Sequence, residues 1–137
     1  MVDDCIFCKI IAGDIPSSKV YEDDEVLAFL DISQVTPGHT LVVPKKHARN
    51  LLEMDETATA QLFARVSKVA KKVEAATQAK GMNIISNMEE VSGQTVFHTH
   101  VHIIPRYSDQ DELAISFTEH GPNFEQLAVL AETIKNS

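Results

Sequence analysis

The stretch Val96-Phe97-His98-Thr99-His100-Val101-His102-Ile103-Ile104, followed by Pro105, decides how this chain is read. Its histidines recur at every second position, the period of a β-strand, and predict a strand over 96–104 ended by Pro105. Successive side chains on a strand face opposite ways. His98, His100 and His102 then share one face, and Phe97, Thr99, Val101 and Ile103 share the other. Neighbouring imidazoles on that face start about 6.5–6.8 Å apart at Cα, two strand rises, so they can act on one ligand.

Upstream, residues 82–87 also read as a strand, and a polar loop over 88–95 with Gly93 joins the two. The longest periodic segment comes before them. It opens at Asp55, an N-cap type, and runs to Lys80 before Gly81, a residue suited to a C′ position. Leu62, Val66, Val69 and Val73 recur at helical spacing with Phe63 and Ala70 beside them, while Lys68, Lys71 and Lys72 take the other faces. Earlier still, His39-Thr40-Leu41-Val42-Val43 reads as a strand set between the turn Thr36-Pro37-Gly38 and Pro44. Runs at 19–22 and 26–30, separated by Asp23-Asp24-Glu25, read as a hairpin. Residues 4–12 form a short helical segment stopped by Gly13, and a last helix is expected from about Asn123 to Ile134. Four or five short strands clustered around one long helix give an α+β fold rather than alternating βαβ units.

At 137 residues, with 44% hydrophobic content, the chain suffices for one core and one domain. Its formal net charge of -8 argues against a long nucleic acid as partner, because phosphate backbones are met by Lys/Arg-rich faces. A single nucleotide stays open, since backbone N–H groups, hydroxyls and histidines suffice to hold one phosphate. No apolar run approaches the ~20 residues of a membrane span, and the Met-Val-Asp-Asp opening lacks the features of a signal peptide. The expectation is a soluble, cytoplasmic protein. There is no G-x-G-x-x-G or Walker loop, so the two commonest phosphate cradles are absent.

Three histidines in alternation fit phosphorus chemistry. Neutral imidazole offers a nitrogen lone pair near pH 7, and its phosphorus adduct is labile enough for water to discharge. An exposed strand that merely carries polar histidines is the plainer alternative. A zinc hydrolase using the same residues is another, but no carboxylate lies near them in sequence to serve as its base. Cys5 and Cys8 are too close together to staple distant parts of the chain. Their Cys-x-x-Cys spacing suits tetrahedral zinc but supplies two ligands of four, with a local redox pair as the rival.

His98-x-His100-x-His102-Ile103-Ile104 resembles the signature of the histidine triad (HIT) superfamily. Further segments are similar to its nucleoside phosphoramidate hydrolase branch: Ile6-Phe7-Cys8-Lys9-Ile10-Ile11, Phe29-Leu30-Asp31-Ile32-Ser33, Pro37-Gly38-His39-Thr40-Leu41-Val42-Val43-Pro44-Lys45-Lys46-His47 and Gly93-Gln94-Thr95-Val96-Phe97-His98. The likeness covers about residues 4–107 in order; Thr99 departs from it where the motif has an apolar residue.

The resemblance implies one HIT domain over 1–137, an antiparallel β-meander with one long helix and a short N-terminal helix, and a tail over 108–137. It implies a homodimer. It also implies His100 as nucleophile, His102 as donor to the scissile phosphate, His98 as orienting residue, and Thr95 as aid to the leaving group. Asn87, Gly93, Gln94 and Thr95 would hold the phosphate or leaving group, and Asp31 would accept from ribose hydroxyls. Ile6, Phe7, Ile10, Phe29, Ile32 and Leu41 would form an apolar slot for a purine, with His39 supporting His100 or the nucleotide. In the zinc-bearing branch the thiolates of Cys5 and Cys8 would join His47 and His98 around a structural ion. The implied reaction is hydrolysis of purine nucleoside 5′-phosphoramidates or related conjugates. A dinucleoside polyphosphate hydrolase, a nucleotidyl transferase and a non-catalytic nucleotide sensor are the alternatives.

Overall fold

The computed structural model describes residues 2–137. Five strands form one antiparallel sheet: β1 (Lys19–Glu22), β2 (Val26–Leu30), β3 (Thr40–Pro44), β4 (Gly81–Ile85) and β5 (Val101–Arg106), in the order β1-β2-β3-β5-β4. Helix α1 (Ile6–Ala12) precedes β1, α2 (Glu56–Thr77) lies between β3 and β4, and α3 (Phe124–Lys135) closes the chain.

Strand alternation divides the core in two. Val26, Ala28, Val42, Val101 and Ile103 face α2 and pack with its Leu62, Val66, Val69 and Val73. Leu27, Phe29, Leu41 and Val43 point to the opposite face and pack with Phe7, Cys8 and Ile10 of α1. The α2 stripe is the one the 3.6-residue spacing predicts, and burying a side chain such as Leu62 fully stabilises the fold by about 2 kcal/mol. Phe63, expected beside that stripe, is exposed. His102 pairs with Leu41 across β3 and β5, so the α1 face carries the chemistry.

The hairpin stands as expected. Its turn is held by Asp23, whose carboxylate accepts from the backbone of Glu25 and Val26, from Tyr21 Oη and from Arg65 on α2. Asp55 caps α2 through the Ala58 N–H, and Gly13 ends α1 in the left-handed region at φ 86°.

Three expectations need correction. The strand does not run over 96–104: β5 begins at Val101, because Thr99 bonds the Ala48 carbonyl through both its N–H and its hydroxyl and ties 97–99 to the loop after β3. Nor does Pro105 end it. β3 reaches only to Ile103, and proline is tolerated where a strand has a partner on one side. Helix α2 stops at Thr77 with Gln78 in the left-handed cap position, so Gly81 opens β4 instead of capping the helix.

Candidate active site and metal centre

The three histidine rings lie on the α1 side as expected, Phe7 meeting those of His98 and His100, and His100 meeting that of His102, but each is held by a different partner. His98 Nε2 lies 2.8 Å from the Pro44 carbonyl oxygen, which can only accept, so Nε2 carries the proton and Nδ1 is bare. That bare nitrogen meets Cys5 Sγ at 3.4 Å, Cys8 Sγ at 3.6 Å and His47 Nδ1 at 3.1 Å, while Cys8 Sγ is 3.4 Å from His47 Nδ1. All four donor atoms lie within 4.8 Å of one another. A tetrahedral zinc with bonds of roughly 2.0–2.3 Å needs ligand-to-ligand edges of roughly 3.3–3.8 Å, so these residues fit such an ion. The proton of His98 on a backbone carbonyl is the outer support that metal-bound imidazoles use. Burial pushes the Cys5 thiol up, a shift that a bound cation reverses.

His100 is fixed by its neighbour's backbone. Its Nδ1 is 2.7 Å from the His98 carbonyl oxygen, again an acceptor only, so Nδ1 carries the proton and Nε2 keeps its lone pair. Burial lowers its pKa, against the opposing pull of that carbonyl and of Asp31, so the ring is neutral near pH 7.

A second chain of bonds sets His102. The Val35 N–H donates to His39 Nδ1 at 3.2 Å, which leaves the His39 proton on Nε2. That proton is donated to His102 Nδ1 at 2.9 Å, so the His102 proton sits on Nε2. His102 is therefore a donor and His100 a lone-pair carrier, with ring centroids 5.1 Å apart. Burial, reinforced by the neighbouring His100 and His39 rings, pushes His102 down to about 4. His98 also falls to about 4, chiefly through burial. His39 is lowered by burial, with Asp31 opposing.

Beside these rings opens a cleft of about 660 Å³ lined by Ile6, Phe7, Ile10, Phe29, Asp31, Ile32 and Leu41. All seven were expected to line a nucleoside slot. Its other walls, Pro16, Ser17, Ser18, Leu30, Gln34 and Val96, carry no signal in the sequence beyond their place after α1 or beside the motif. Phe7 joins the parts: its ring stands edge-on to Phe29 at 5.6 Å and to His100 at 5.1 Å, and 5.9 Å from His98.

The 87–95 loop is built differently from expectation. The Gln94 side chain is buried and fully used, its Nε2 donating to the Arg49 and Val96 carbonyls and its Oε1 accepting from Glu89 N and Asn50 Nδ2. It holds the loop and presents no free side-chain group to a phosphate. Glu89 at φ 74° is pinned by Asn50 and by a two-pronged bond from Arg49. Gly93, at φ 107°, brings its backbone against Asn87, whose amide nitrogen is 3.4 Å from where a Cβ would stand. Thr95 is exposed on the outer side, in a groove with Cys5, His47, Arg49 and Phe97.

The sequence matches the HIT domain family over residues 12–109. The crystal structure of SMU.412c from Streptococcus mutans UA159 is 60% identical, covers 99% of this chain and 86% of that one, and superposes with a TM-score of 0.96. A HIT family protein from Bacillus anthracis is 46% identical, with 99% and 98% of the two chains covered and a TM-score of 0.94. The adenosine 5′-monophosphoramidase hnt1 of Schizosaccharomyces pombe is 36% identical over 132 residues, 96% of each chain. The fold and the histidine pair thus define a histidine-triad protein. The chain belongs to the HIT domain family.

Proposed function

We propose that this HIT-family nucleotide hydrolase splits purine nucleoside 5′-phosphoramidates and related nucleotide conjugates through a transient bond between phosphorus and His100 Nε2. One observation carries the reading: the His98 carbonyl holds the His100 proton on Nδ1 and leaves Nε2 bare, on a neutral ring packed against Phe7 of the cleft wall. Attack by that lone pair displaces the leaving amine or alcohol, and water then breaks the phosphorus–nitrogen bond to give the free nucleotide. The His39-to-His102 chain supports His102 Nε2–H as donor to the phosphate oxygens as their charge grows. The name of the S. pombe relative agrees with this substrate class.

The base lies in the cleft against Ile6, Phe7, Ile10, Phe29, Ile32 and Leu41, with Asp31 on the ribose. By family register Asn87, Gly93 and Thr95 serve the phosphate and the leaving group; Gly93 lies against Asn87. His98 acts through its carbonyl, while its ring belongs to the metal centre. Cys5, Cys8, His47 and His98 would hold a structural zinc, which would tie α1 to the segment that carries His100. The enzyme works as a homodimer, in keeping with the open edge of β4, where Ile84 is exposed. Among the described residues no helix is long and apolar enough to cross a membrane.

The test is intact-protein mass spectrometry after mixing with adenosine 5′-phosphoramidate. Wild type releases AMP, His102→Ala accumulates an AMP-sized increment on His100, and His100→Ala shows neither. AMP binding without adduct or AMP release would replace this reading with that of a nucleotide sensor.

A further inference from the structure

The cleft assigned to the base is lined mainly by apolar side chains, Phe7 and Ile10 from α1 and Phe29 and Leu41 from the sheet. Such walls hold an aromatic bicycle by burial and dispersion, and they discriminate weakly among flat rings of one size. Recognition of the base then falls to the polar side chains of the lining, which are Ser17, Ser18, Asp31 and Gln34. Gln34 is spent within its own loop: Nε2 donates to the Asp31 and His39 carbonyls at 2.6 and 2.7 Å, and Oε1 accepts from the Gly38 N–H at 2.8 Å. Asp31 is given to the ribose. Ser18 is exposed, and its carbonyl takes the Leu30 N–H.

Ser17 differs from all three. Among the described residues its Oγ is the one buried side-chain oxygen or nitrogen that finds no hydrogen-bond partner. A hydroxyl covered from bulk water and left unpaired costs free energy, and native proteins carry few such groups without a use for them. This one belongs to a residue of the cleft wall. Its backbone is held on either side, by the fixed φ of Pro16 and by the bond from Leu30 to Ser18, so the freedom that remains is χ1. One step between staggered positions exchanges the covered place of the oxygen for one at the cleft surface.

A hydroxyl both donates and accepts. It can therefore serve adenine, whose six-membered ring presents an amino donor and a ring-nitrogen acceptor, and equally guanine, where O6 accepts and the ring N–H donates. We propose that Ser17 reads the base: when a nucleotide enters, its Oγ turns into the cleft and hydrogen-bonds the polar edge of the purine's six-membered ring, selecting purines over equally flat apolar bicycles. The inference rests on the reading of this cleft as the base slot and deepens it.

The test compares AMP with benzimidazole riboside 5′-monophosphate by calorimetric titration. The analogue keeps the bicyclic shape, the ribose and the phosphate, but lacks the nitrogens and the amino group of the six-membered ring. Wild type should bind AMP about ten times more tightly than the analogue, and Ser17→Ala should lose most of that ratio by weakening AMP alone. The free Ser17→Ala protein should melt no lower than wild type, since the hydroxyl it gives up had no partner. An unchanged ratio, or an equal loss for both nucleotides, would overturn the role of Ser17. So would a lower Tm of the free variant, which would show the hydroxyl serving the fold. If wild type fails to bind AMP at all, the base slot and this role fall together. If AMP binds but adenosine 5′-phosphoramidate is not split, the hydrolase reading falls, and the ratio still decides what Ser17 does.

Discussion

His39 Nε2 stands 2.9 Å from His102 Nδ1, and because the Val35 N–H already occupies the other nitrogen of His39, the proton between the two rings belongs to His39. His39 is thus a positioning residue that keeps the His102 proton on Nε2. His39→Ala should lower kcat about ten- to a hundredfold, the range seen when the partner that fixes a functional histidine's tautomer is removed, with little change in KM. His39→Gln, whose amide can donate to the same nitrogen, should recover part of the loss. Equal kcat in all three proteins would remove the relay from the mechanism.

The depressed histidines fix the sign of the acid response. His102 titrates at about 4 in the folded protein against about 6.5 when unfolded, so between those values the unfolded chain binds a proton that the native chain refuses. Stability must therefore fall as pH drops from 6.5 to 4, by up to about 1.4 kcal/mol per pH unit for this group, and level off below. His102→Asn should flatten the slope of Tm against pH in that window. The lowered pKa of His100, caused by burial, also places the acid limb of kcat/KM in wild type below that of a free imidazole. An acid limb at 6.5 or above would contradict the neutral-nucleophile assignment.

Elements whose signals are local were legible in the sequence. Asp23-Asp24-Glu25 between two apolar runs marks the hairpin, and Leu62, Val66, Val69 and Val73 mark α2. The seven cleft residues were legible only through family register, since Phe29 or Leu41 alone would pass for ordinary core. The triad misled in one respect. His-x-His-x-His implies a continuous strand, but Thr99 bonding to Ala48 and His98 to Pro44 are long-range contacts that no local pattern records. The same holds for Gln94, which looks like a ligand-facing amide in sequence and is consumed by Arg49, Asn50, Glu89 and Val96.

Metal content tests the Cys5, Cys8, His47, His98 cluster directly. The purified chain should carry one zinc, and Cys5→Ala/Cys8→Ala should lose it together with several kcal/mol of stability, because the ion's binding free energy is available only to the folded state. Elemental analysis with thermal melts reads both. Full zinc content and an unchanged Tm in the double variant would exclude these thiols as ligands.

Gly93 offers a backbone test. Its φ of 107° is strained for any other residue, and an added Cβ would sit 3.4 Å from the Asn87 amide nitrogen, in ordinary contact. The strain thus comes from the backbone angle, and Gly93→Ala should cost about 1–2 kcal/mol. If Asn87 and the residue 93 backbone face the phosphate, kcat/KM should fall further than the stability loss accounts for when measured well below Tm. A melt that shifts with no change in kcat/KM would make the glycine purely structural.

Asp31 separates binding of the sugar from chemistry. Its Oδ1 accepts the Ser33 N–H at 2.7 Å, and Oδ2, at the wall of the cleft, stays 3.6 Å from His39 Nε2. An ionised carboxylate in that place accepts from a ribose diol, whereas an amide offers one acceptor and two donors. Asp31→Asn should raise KM for adenosine 5′-phosphoramidate about tenfold, the value of a hydrogen bond to a charged group, with a smaller effect on kcat. The diagnostic is the ratio of ribo- to 2′-deoxy substrate. Wild type should prefer the ribo form, and the variant should lose most of that preference, because the hydroxyl no longer meets the acceptor that distinguished it. An unchanged ratio would mean that the Asp31 carboxylate serves His39 alone and that the sugar is held elsewhere in the cleft.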